Sequence, residues 1–300
     1  MANAIEVRGL SKTYGDLRAV DGVSFDVRTG EFFGILGPNG AGKTTTLEIV
    51  EGIREADEGT VTVLGERPWP RNSTLLPRMG VQLQASAFFE KLTAREQLET
   101  FGALYGVPPQ RSVEMLEVVG LTDKANVRED RLSGGQRQRL SIACALVHRP
   151  EIVFLDEPTA ALDPQARRNL WDVLRDIQAR GTTVVYTTHY LDEAEALCDR
   201  VAIMDKGRIL ALDTPAALVR GLDAPTRVAL PDGVLDAVTA RSLPGADDVV
   251  ADEAEVVVAT RAPAKLVAAL AERNALDGVS VRTATLEDVF LALTGREYRA

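Results

Sequence analysis

The chain has 300 residues, 45% of them hydrophobic, with a formal net charge of -10 and a pI near 4.9. This length and composition support a substantial core, arranged in one large or two modest domains. Nucleic-acid binding depends on clustered cations that displace phosphate counterions, so the acidic balance argues against DNA or RNA as the main partner. The longest apolar runs, such as residues 142–147, are far shorter than the roughly 20 residues that a membrane-spanning helix needs. We therefore expect a chain without membrane spans of its own or a secretory signal.

The first predicted elements are strands in which apolar and polar residues alternate. Ile5 and Val7 alternate with polar neighbours, and so do Val23, Phe25 and Val27. This period of two is typical of strands that bury one face and expose the other. The segment therefore predicts a sheet near the start of the chain.

Three later apolar runs show little polar alternation: FFGIL at 32–36, IVFL at 152–155 and TVVYTT at 183–188. Such runs are typical of parallel strands that are covered on both faces. Helical patterns lie between the runs, so we predict an α/β core. Residues from about 88 to 149 are mainly helical in pattern and predict a helical subdomain inserted into that core.

A linker at 220–227 precedes the short strands and helices of a small C-terminal α+β unit. The predicted domains are therefore residues 1–222 and 223–300. The last helix has apolar residues one turn apart, with Thr285 as its N-cap and Gly295 at its end. We expect the apolar face of this helix to pack within its own domain.

A phosphate-binding loop follows the first buried run. The segment GILGPNGAGKTT has the spacing G-x-x-x-x-G-K-[ST] and lies between a predicted strand and a predicted helix. Glycines let backbone N–H groups wrap a phosphate, and the helix N-terminus adds its dipole. Lys43 is expected to reach the β- and γ-phosphates, and Thr44 to bind Mg²⁺. The residues expected to bind the nucleotide here are Gly37, Pro38, Asn39, Gly40, Ala41, Gly42, Lys43, Thr44 and Thr45.

Two carboxylates follow the apolar run at 152–155. Asp156 and Glu157 emerge at the carboxyl end of a buried strand, where ligands bind in open α/β sheets. Asp156 fits the Mg²⁺-holding position of phosphate-loop nucleotidases, and Glu157 would orient and polarise the attacking water. The alternative is a solvated loop, but paired carboxylates directly after a buried run are costly without a cation or partner.

The segment LSGGQ at 132–136 makes a family resemblance specific. The chain resembles the ATP-binding subunits of ABC transporters over about residues 5–212, with the motifs of that family in order. The resemblance implies an α/β phosphate-loop nucleotidase core with an antiparallel β subdomain and an inserted helical subdomain. It also implies that AALD at 160–163 is the D-loop. By the same resemblance His189, in THYLDEAEALCDRVAIM, contacts the γ-phosphate and holds Glu157 and water in place.

Two further assignments depend on the resemblance. Tyr14 stands where the family usually stacks an aromatic ring on adenine, and aromatic faces suit base stacking. Gln82 and Gln84 lie on the same face of a predicted strand, so periodicity does not choose between them. The spacing of the family to its LTxRE segment favours Gln84, which would contact Mg²⁺ or the attacking water and sense the membrane partner. The implied metal ligands are Thr44, Gln84 and Asp156.

The LSGGQ segment has a physical rationale as a second anion-binding loop. Its glycines permit close backbone approach, and it opens a helix whose start favours negative charge. In the family this loop completes the nucleotide site of a second cassette, packed head to tail, so that ATP lies at the interface. ATP then binds the closed pair better than the open one and can drive a conformational change. The residues that the resemblance assigns to this shared site are Ser133, Gly134, Gly135, Gln136 and Asp163.

The leading hypothesis is an ATPase that uses ATP and Mg²⁺, dimerises, most simply with a second copy, and drives transport through a separate permease at the cytoplasmic face of the membrane. EGIREADEGTVTVLG and the terminal TLEDVFLALTGRE resemble the drug-exporter subclass, including daunorubicin-resistance ATPases, which favours export of a drug-like, lipid-like or other small molecule. The alternatives are an importer subunit, a soluble ABC ATPase that acts on ribosomes or DNA, and a simple phosphate-loop kinase or nucleotidase. The single cassette and its net charge of -10 argue against the second alternative, and LSGGQ argues against the third.

Overall fold

The computed structural model describes residues 2–82, 88–160, 162–231, 233–251 and 255–295. Within these residues the chain forms two compact units, the first ending at Pro215 and the second beginning at Ala216. In the part of the chain described, every helix is too short or too polar to cross a membrane.

The strands of the first unit are β1 (Asn3–Tyr14), β2 (Leu17–Arg28), β3 (Phe32–Leu36), β4 (Glu58–Val63), β5 (Met79–Gln82), β6 (Ile152–Asp156), β7 (Thr183–Thr188), β8 (Arg200–Asp205) and β9 (Arg208–Asp213). Its helices are α1 (Lys43–Val50), α2 (Ala94–Leu104), α3 (Gln110–Val118), α4 (Gly134–Leu146), α5 (Pro164–Ala179) and α6 (Leu191–Leu197). The next helix, α7 (Pro215–Gly221), contains the division between the units, which falls ahead of the predicted boundary after residue 222.

An antiparallel sheet with the strand order β2-β1-β4 opens the fold. The residues whose alternation predicts a buried face are all buried: Ile5, Val7, Val23, Phe25 and Val27. The Phe25 ring stacks on Phe33 of β3, with ring centroids 5.3 Å apart. These residues join one hydrophobic cluster with β3, β6 and α1, so the antiparallel sheet packs on the core sheet through its apolar face.

The core sheet has the order β5-β6-β7-β3-β8-β9 and is parallel except for β9 at its edge. Every residue of β3, β6 and β7 is buried, which confirms the predicted coverage on both faces. Because β6, β7 and β3 are neighbours, the segments that follow Leu36, Asp156 and Thr188 leave the sheet at one edge. The fold thereby gathers the predicted nucleotide-binding segments.

Between β5 and β6 lie the helices α2, α3 and α4, where the sequence predicts a helical subdomain. Helix α4 contacts α2 and α3 and also contacts β5 and β6. Its second half, from Leu140 onward, is buried on every side because of these contacts. Helix α4 therefore ties the helical segment to the core.

The second unit contains β10 (Thr226–Pro231), α8 (Ala237–Arg241), β11 (Asp248–Ala251), β12 (Glu255–Thr260), α9 (Pro263–Ala271), β13 (Ser280–Arg282) and α10 (Leu286–Thr294). Its antiparallel sheet has the order β11-β12-β10-β13, the arrangement of a split β-α-β fold. Helix α10 begins after Thr285 in a capping box and ends at Gly295 in the left-handed conformation, as predicted. Its residues Leu286, Val289 and Phe290 are buried.

Candidate functional site

The phosphate loop lies between β3 and α1. Gly42 precedes α1 in the left-handed conformation, with φ of 98°, and no side chain caps the helix. A Cβ atom at Gly42 would collide with the carbonyl oxygen of Ala19, and one at Gly37 with that of Met204. Both positions therefore require glycine. The first N–H groups of α1 have no side-chain cap, and such groups form an anion-binding site.

Lys43 is the first residue of α1, and its side chain is only 4% exposed. Its Nζ donates hydrogen bonds to the carbonyl oxygens of Gly37 at 2.8 Å and Pro38 at 3.2 Å. The same ammonium lies 3.0 Å from Oε1 of Glu157. A buried charge needs such partners, so the ammonium is fixed at the point where the loop, α1 and the end of β6 meet.

Glu157 connects Lys43 to His189. Its Oε1 faces Lys43, while its Oε2 lies 3.1 Å from Nδ1 of His189. The Glu157 N–H donates to Oγ1 of Thr187 at 3.0 Å, and the residue has a φ of 45°. A positive φ is costly for a glutamate and tends to occur at functional sites. The carboxylate therefore lies between the Lys43 ammonium and the His189 imidazole, at the carboxyl edge of the sheet.

Asp156 and Thr44 form an oxygen-rich pair beside Lys43. The Thr44 hydroxyl donates to Oδ2 of Asp156 at 3.0 Å, and the Thr187 hydroxyl donates to Oδ1. Burial raises the pKa of the Asp156 carboxyl, and the hydrogen bonds from Thr187 and Thr44 oppose that rise. A carboxylate and a hydroxyl are hard oxygen ligands, the kind that Mg²⁺ prefers, and a divalent cation would compensate the desolvated charge. The donor set therefore fits Mg²⁺.

Lys43, Thr44 and Glu157 line one cavity of about 580 Å³, a volume within the usual range for ligand sites, whereas Asp156 and His189 are not among the described residues that line it. The cavity brings together the sequence-predicted residues Tyr14, Asn39, Gly40, Ala41, Gly42, Lys43, Thr44, Thr45 and Glu157. Five other lining residues lie outside the predicted nucleotide-binding segments: Leu17, Arg18, Ala19, Lys206 and Gly207. Residues from both sheets of the first unit therefore contribute to the lining of the cavity.

Lys206 and Gly207 belong to a tight turn between β8 and β9. Both have positive φ, at 47° and 78°, as in a two-residue hairpin turn of type I′. The Gly207 N–H donates to the carbonyl oxygen of Ala41 at 2.9 Å, which fixes the turn against the phosphate loop. The signal available in the sequence is a Lys-Gly pair between two apolar runs, which predicts the turn but not its place beside the loop.

Tyr14 lies at the mouth of the cavity, with 39% of its surface exposed. The Arg54 guanidinium lies 5.3 Å from the ring centroid and the Lys12 ammonium 5.9 Å from it. Arg54 is in turn held by Oε2 of Glu48 at 2.7 Å. Cations over an aromatic face are attracted to it. The ring is therefore both supported and partly accessible.

The LSGGQ segment, unlike the phosphate loop, does not contribute to the described lining of this cavity. The lining lacks all four of its predicted site residues, Ser133, Gly134, Gly135 and Gln136. Ser133 caps α4 and accepts a hydrogen bond from the Gln136 N–H at 3.3 Å, while the Gln136 side chain accepts one from the Ser133 N–H at 2.9 Å. Asp163 caps α5 by accepting from the N–H groups of Gln165 and Ala166. Gln84 lies outside the described residues.

The fold and the cavity together define a phosphate-loop nucleotidase. A sequence profile of the ABC transporter family matches residues 20–160. The nod factor export ATP-binding protein I of Ralstonia nicotianae is 40% identical over 98% of this chain and 95% of its own length. The chain belongs to the ATP-binding proteins of the ABC transporter family.

Other similarities agree with this assignment. The linearmycin resistance ATP-binding protein LnrL of Bacillus subtilis is 37% identical over 98% of this chain and 99% of its own length. A solved ATP-binding subunit of an ABC transporter has a TM-score of 0.67 and 29% identity, covering 73% of this chain and 92% of its own. A dimeric cassette bound to ADP and phosphate, MJ0796, has a TM-score of 0.64 and 28% identity, covering 70% and 98%. The protein is an ATPase subunit of this family.

Proposed function

We propose that ATP occupies the cavity with its phosphates in the loop at 37–45 and its adenine on the Tyr14 ring. Supporting this placement, the loop presents N–H groups without a side-chain cap, and the partly exposed Tyr14 lines the same cavity. Thr44 and Asp156 would hold Mg²⁺, with Gln84 as a third ligand by resemblance. The metal supplies charge neutralisation for the phosphates when it is bound.

Glu157 is the residue that we propose to polarise the attacking water. The observation that carries this role is its contact with both Lys43 and His189 at the edge of the sheet where the phosphates enter. Phosphate oxygens would compete with the Glu157 carboxylate for the Lys43 ammonium. The carboxylate would then be held by His189 and directed toward water beside the γ-phosphate.

A second cassette would complete the site. Ser133, Gly134 and the rest of LSGGQ lie outside this chain's own cavity, which is the arrangement expected of a loop that serves a partner's nucleotide. The dimeric state of the solved relative bound to ADP and phosphate supports the same assembly. We propose a homodimer in which the four LSGGQ residues 133–136 and Asp163 face the partner's ATP.

The dimer is proposed to act at the cytoplasmic face of the membrane on a separate permease and to drive export. Relatives at about the same length are named for linearmycin resistance and for nod factor export. We therefore propose a drug-like or lipid-like molecule as the transported substrate. Co-purification with a membrane permease, followed by substrate accumulation in cells lacking this chain, tests the proposal. Co-purification with ribosomes alone would contradict it.

The catalytic proposal is tested with Glu157→Gln. This variant keeps the size and shape of the side chain but replaces one acceptor oxygen with an amide donor and removes the negative charge that polarises water. We expect unchanged ATP affinity, an ATP-dependent dimer visible by light scattering, and turnover reduced by at least about 100-fold. Glu117→Gln, an exposed carboxylate on α3, is the matched control. Wild-type turnover in Glu157→Gln would remove Glu157 from this role.

A further inference from the structure

A second buried carboxylate lies behind the site. Glu193 is on α6, has no exposed surface, and is absent from the described residues that line the cavity. Burying an ionised carboxylate is costly unless hydrogen bonds and an opposite charge compensate it. Its partners therefore indicate what the residue holds in place.

Two hydroxyl groups of β7 donate to one oxygen of Glu193. Oε2 accepts from Oη of Tyr186 at 2.7 Å and from Oγ1 of Thr188 at 2.6 Å. The tyrosine has a single hydroxyl proton, so the 3.4 Å contact between Thr159 and Tyr186 has Thr159 as its donor. Burial, and then the Glu193 charge, raise the pKa of Tyr186 well above its ordinary value, so Tyr186 keeps that proton. Glu193 thereby joins β7 to the segment that follows Glu157.

The other oxygen of Glu193 faces α5. Oε1 lies 3.5 Å from Nε of Arg167, whose guanidinium lies 4.2 Å from the centroid of the Tyr190 ring. The backbone N–H of Arg167 donates to the carbonyl oxygen of Asp163 at 2.9 Å, within the first turn of α5. The carboxylate is therefore connected to the start of α5, where Asp163 is the N-cap.

Both neighbours of His189 are held by the same group of contacts. Thr188 donates its hydroxyl to Glu193 and accepts from the Tyr190 N–H at 2.9 Å. The carbonyl oxygen of Thr188 accepts from the Gly37 N–H at 3.3 Å, so this residue also contacts the phosphate loop. The rings of His189 and Tyr190 are 4.2 Å apart. The backbone that carries His189 thus depends on Glu193 from both sides.

We propose that Glu193 is a positioning residue for hydrolysis: it fixes His189 against Glu157 and connects that pair to the start of α5. The inference rests on the proposed role of His189 and extends it to a residue that is not among the described residues lining the cavity. Loss of the carboxylate charge would loosen the contact between His189 and Glu157. The hydrogen bond from Gly37 to Thr188 joins two backbone groups and does not involve the carboxylate, so we expect the phosphate loop and Tyr14 to stay in place. Turnover should then fall while ATP affinity stays the same.

Glu193→Gln tests whether turnover falls while ATP affinity stays the same. The amide has one acceptor oxygen and two donor protons, so it meets two hydroxyl donors and a guanidinium with a mismatched set of groups. We expect kcat to fall by about 10-fold or more, because small misplacements of catalytic groups have effects of this size, and ATP affinity to stay within about 2-fold of the wild type. Asp192→Asn removes the same charge from the adjacent exposed position and should change neither quantity.

A double-mutant cycle with His189→Ala distinguishes positioning from general stability. If Glu193 acts through His189, adding Glu193→Gln to His189→Ala should cause no further loss in the single-turnover rate. Equal losses from Glu193→Gln in both backgrounds would overturn the proposal. Wild-type turnover in the single variant His189→Ala would instead overturn the proposed role of His189. Because Glu193 is unchanged in that variant, the two failures are distinguishable.

Tyr186→Phe provides a second variant if Glu193→Gln fails to fold. It removes one donor to Glu193 but retains the buried ring, so the core stays packed. We expect a smaller fall in kcat, about 3-fold, with ATP affinity unchanged and the same dependence on His189. The positioning role would be refuted if kcat were unchanged in both folded variants, Tyr186→Phe and Glu193→Gln. It would also be refuted if ATP affinity fell by as much as kcat.

Discussion

The starts of helices α1 and α4 both follow glycine-containing loops, yet their surroundings differ. Helix α1 has no side-chain cap, and the loop before it lines the nucleotide cavity. Helix α4 is capped by the paired side chains of Ser133 and Gln136, and Ser133 and Gly134 are exposed. The first helix start lines its own chain's cavity, whereas the second is capped by its own side chains and is not among the described residues that line that cavity. Similar local sequences therefore support different uses of a helix N-terminus.

The largest expected effect comes from Lys43→Ala, which tests the α1 side of the comparison. The substitution removes the buried ammonium proposed to bind the β- and γ-phosphates, while the Glu157 carboxylate keeps its contact with His189. We expect ATP affinity to fall by about 100-fold or more, equivalent to about 2.7 kcal/mol. Equilibrium binding of a fluorescent ATP analogue measures this change. Lys265→Ala, on the exposed surface of α9, is the control, and undiminished affinity in Lys43→Ala would contradict the phosphate-loop assignment.

Gly135→Asp tests the α4 side and should separate binding from hydrolysis. The new carboxylate would face the partner's γ-phosphate, so we expect ATP binding by the monomer to stay within about 2-fold and hydrolysis to fall by at least about 100-fold. The added Cβ would lie 3.0 Å from Cδ2 of Leu162, a flexible side-chain end. Gly135→Ala adds the same Cβ without charge and therefore isolates the steric part. Loss of ATP binding by monomeric Gly135→Asp would show that the loop serves its own chain's nucleotide.

The smallest expected effect is that of Ser133→Ala, which removes the cap of α4. Loss of an N-cap acceptor costs about 1 kcal/mol of stability, so thermal unfolding should shift by a few degrees. Thr93→Ala removes the equivalent cap of α2, which has the same pair of hydrogen bonds. We expect similar shifts in both variants but reduced hydrolysis in Ser133→Ala alone. Equal hydrolysis rates in the two variants would limit Ser133 to a structural role.

Local patterns predict much of this fold because they are physical requirements of short segments. The alternation around Val23 and the unbroken apolar runs of β3, β6 and β7 identify strands with one or two covered faces. Helix α8 and strand β11 in the second unit are not predicted from such patterns, because they have only five and four residues. Elements of that length are stabilised by packing on their neighbours, and their own sequence carries little signal.

The sequence by itself determines the chemistry available at the site: a phosphate loop, a lysine, two carboxylates after a buried strand, and a histidine after another. It does so because each feature needs particular residue types at fixed, short spacings. Only the tertiary structure decides which of these groups meet, since contacts such as Lys43 with Glu157, and Glu193 with Arg167, join residues far apart in the chain or on different elements. Sheet order places them together, and no local pattern encodes a distance across the sheet.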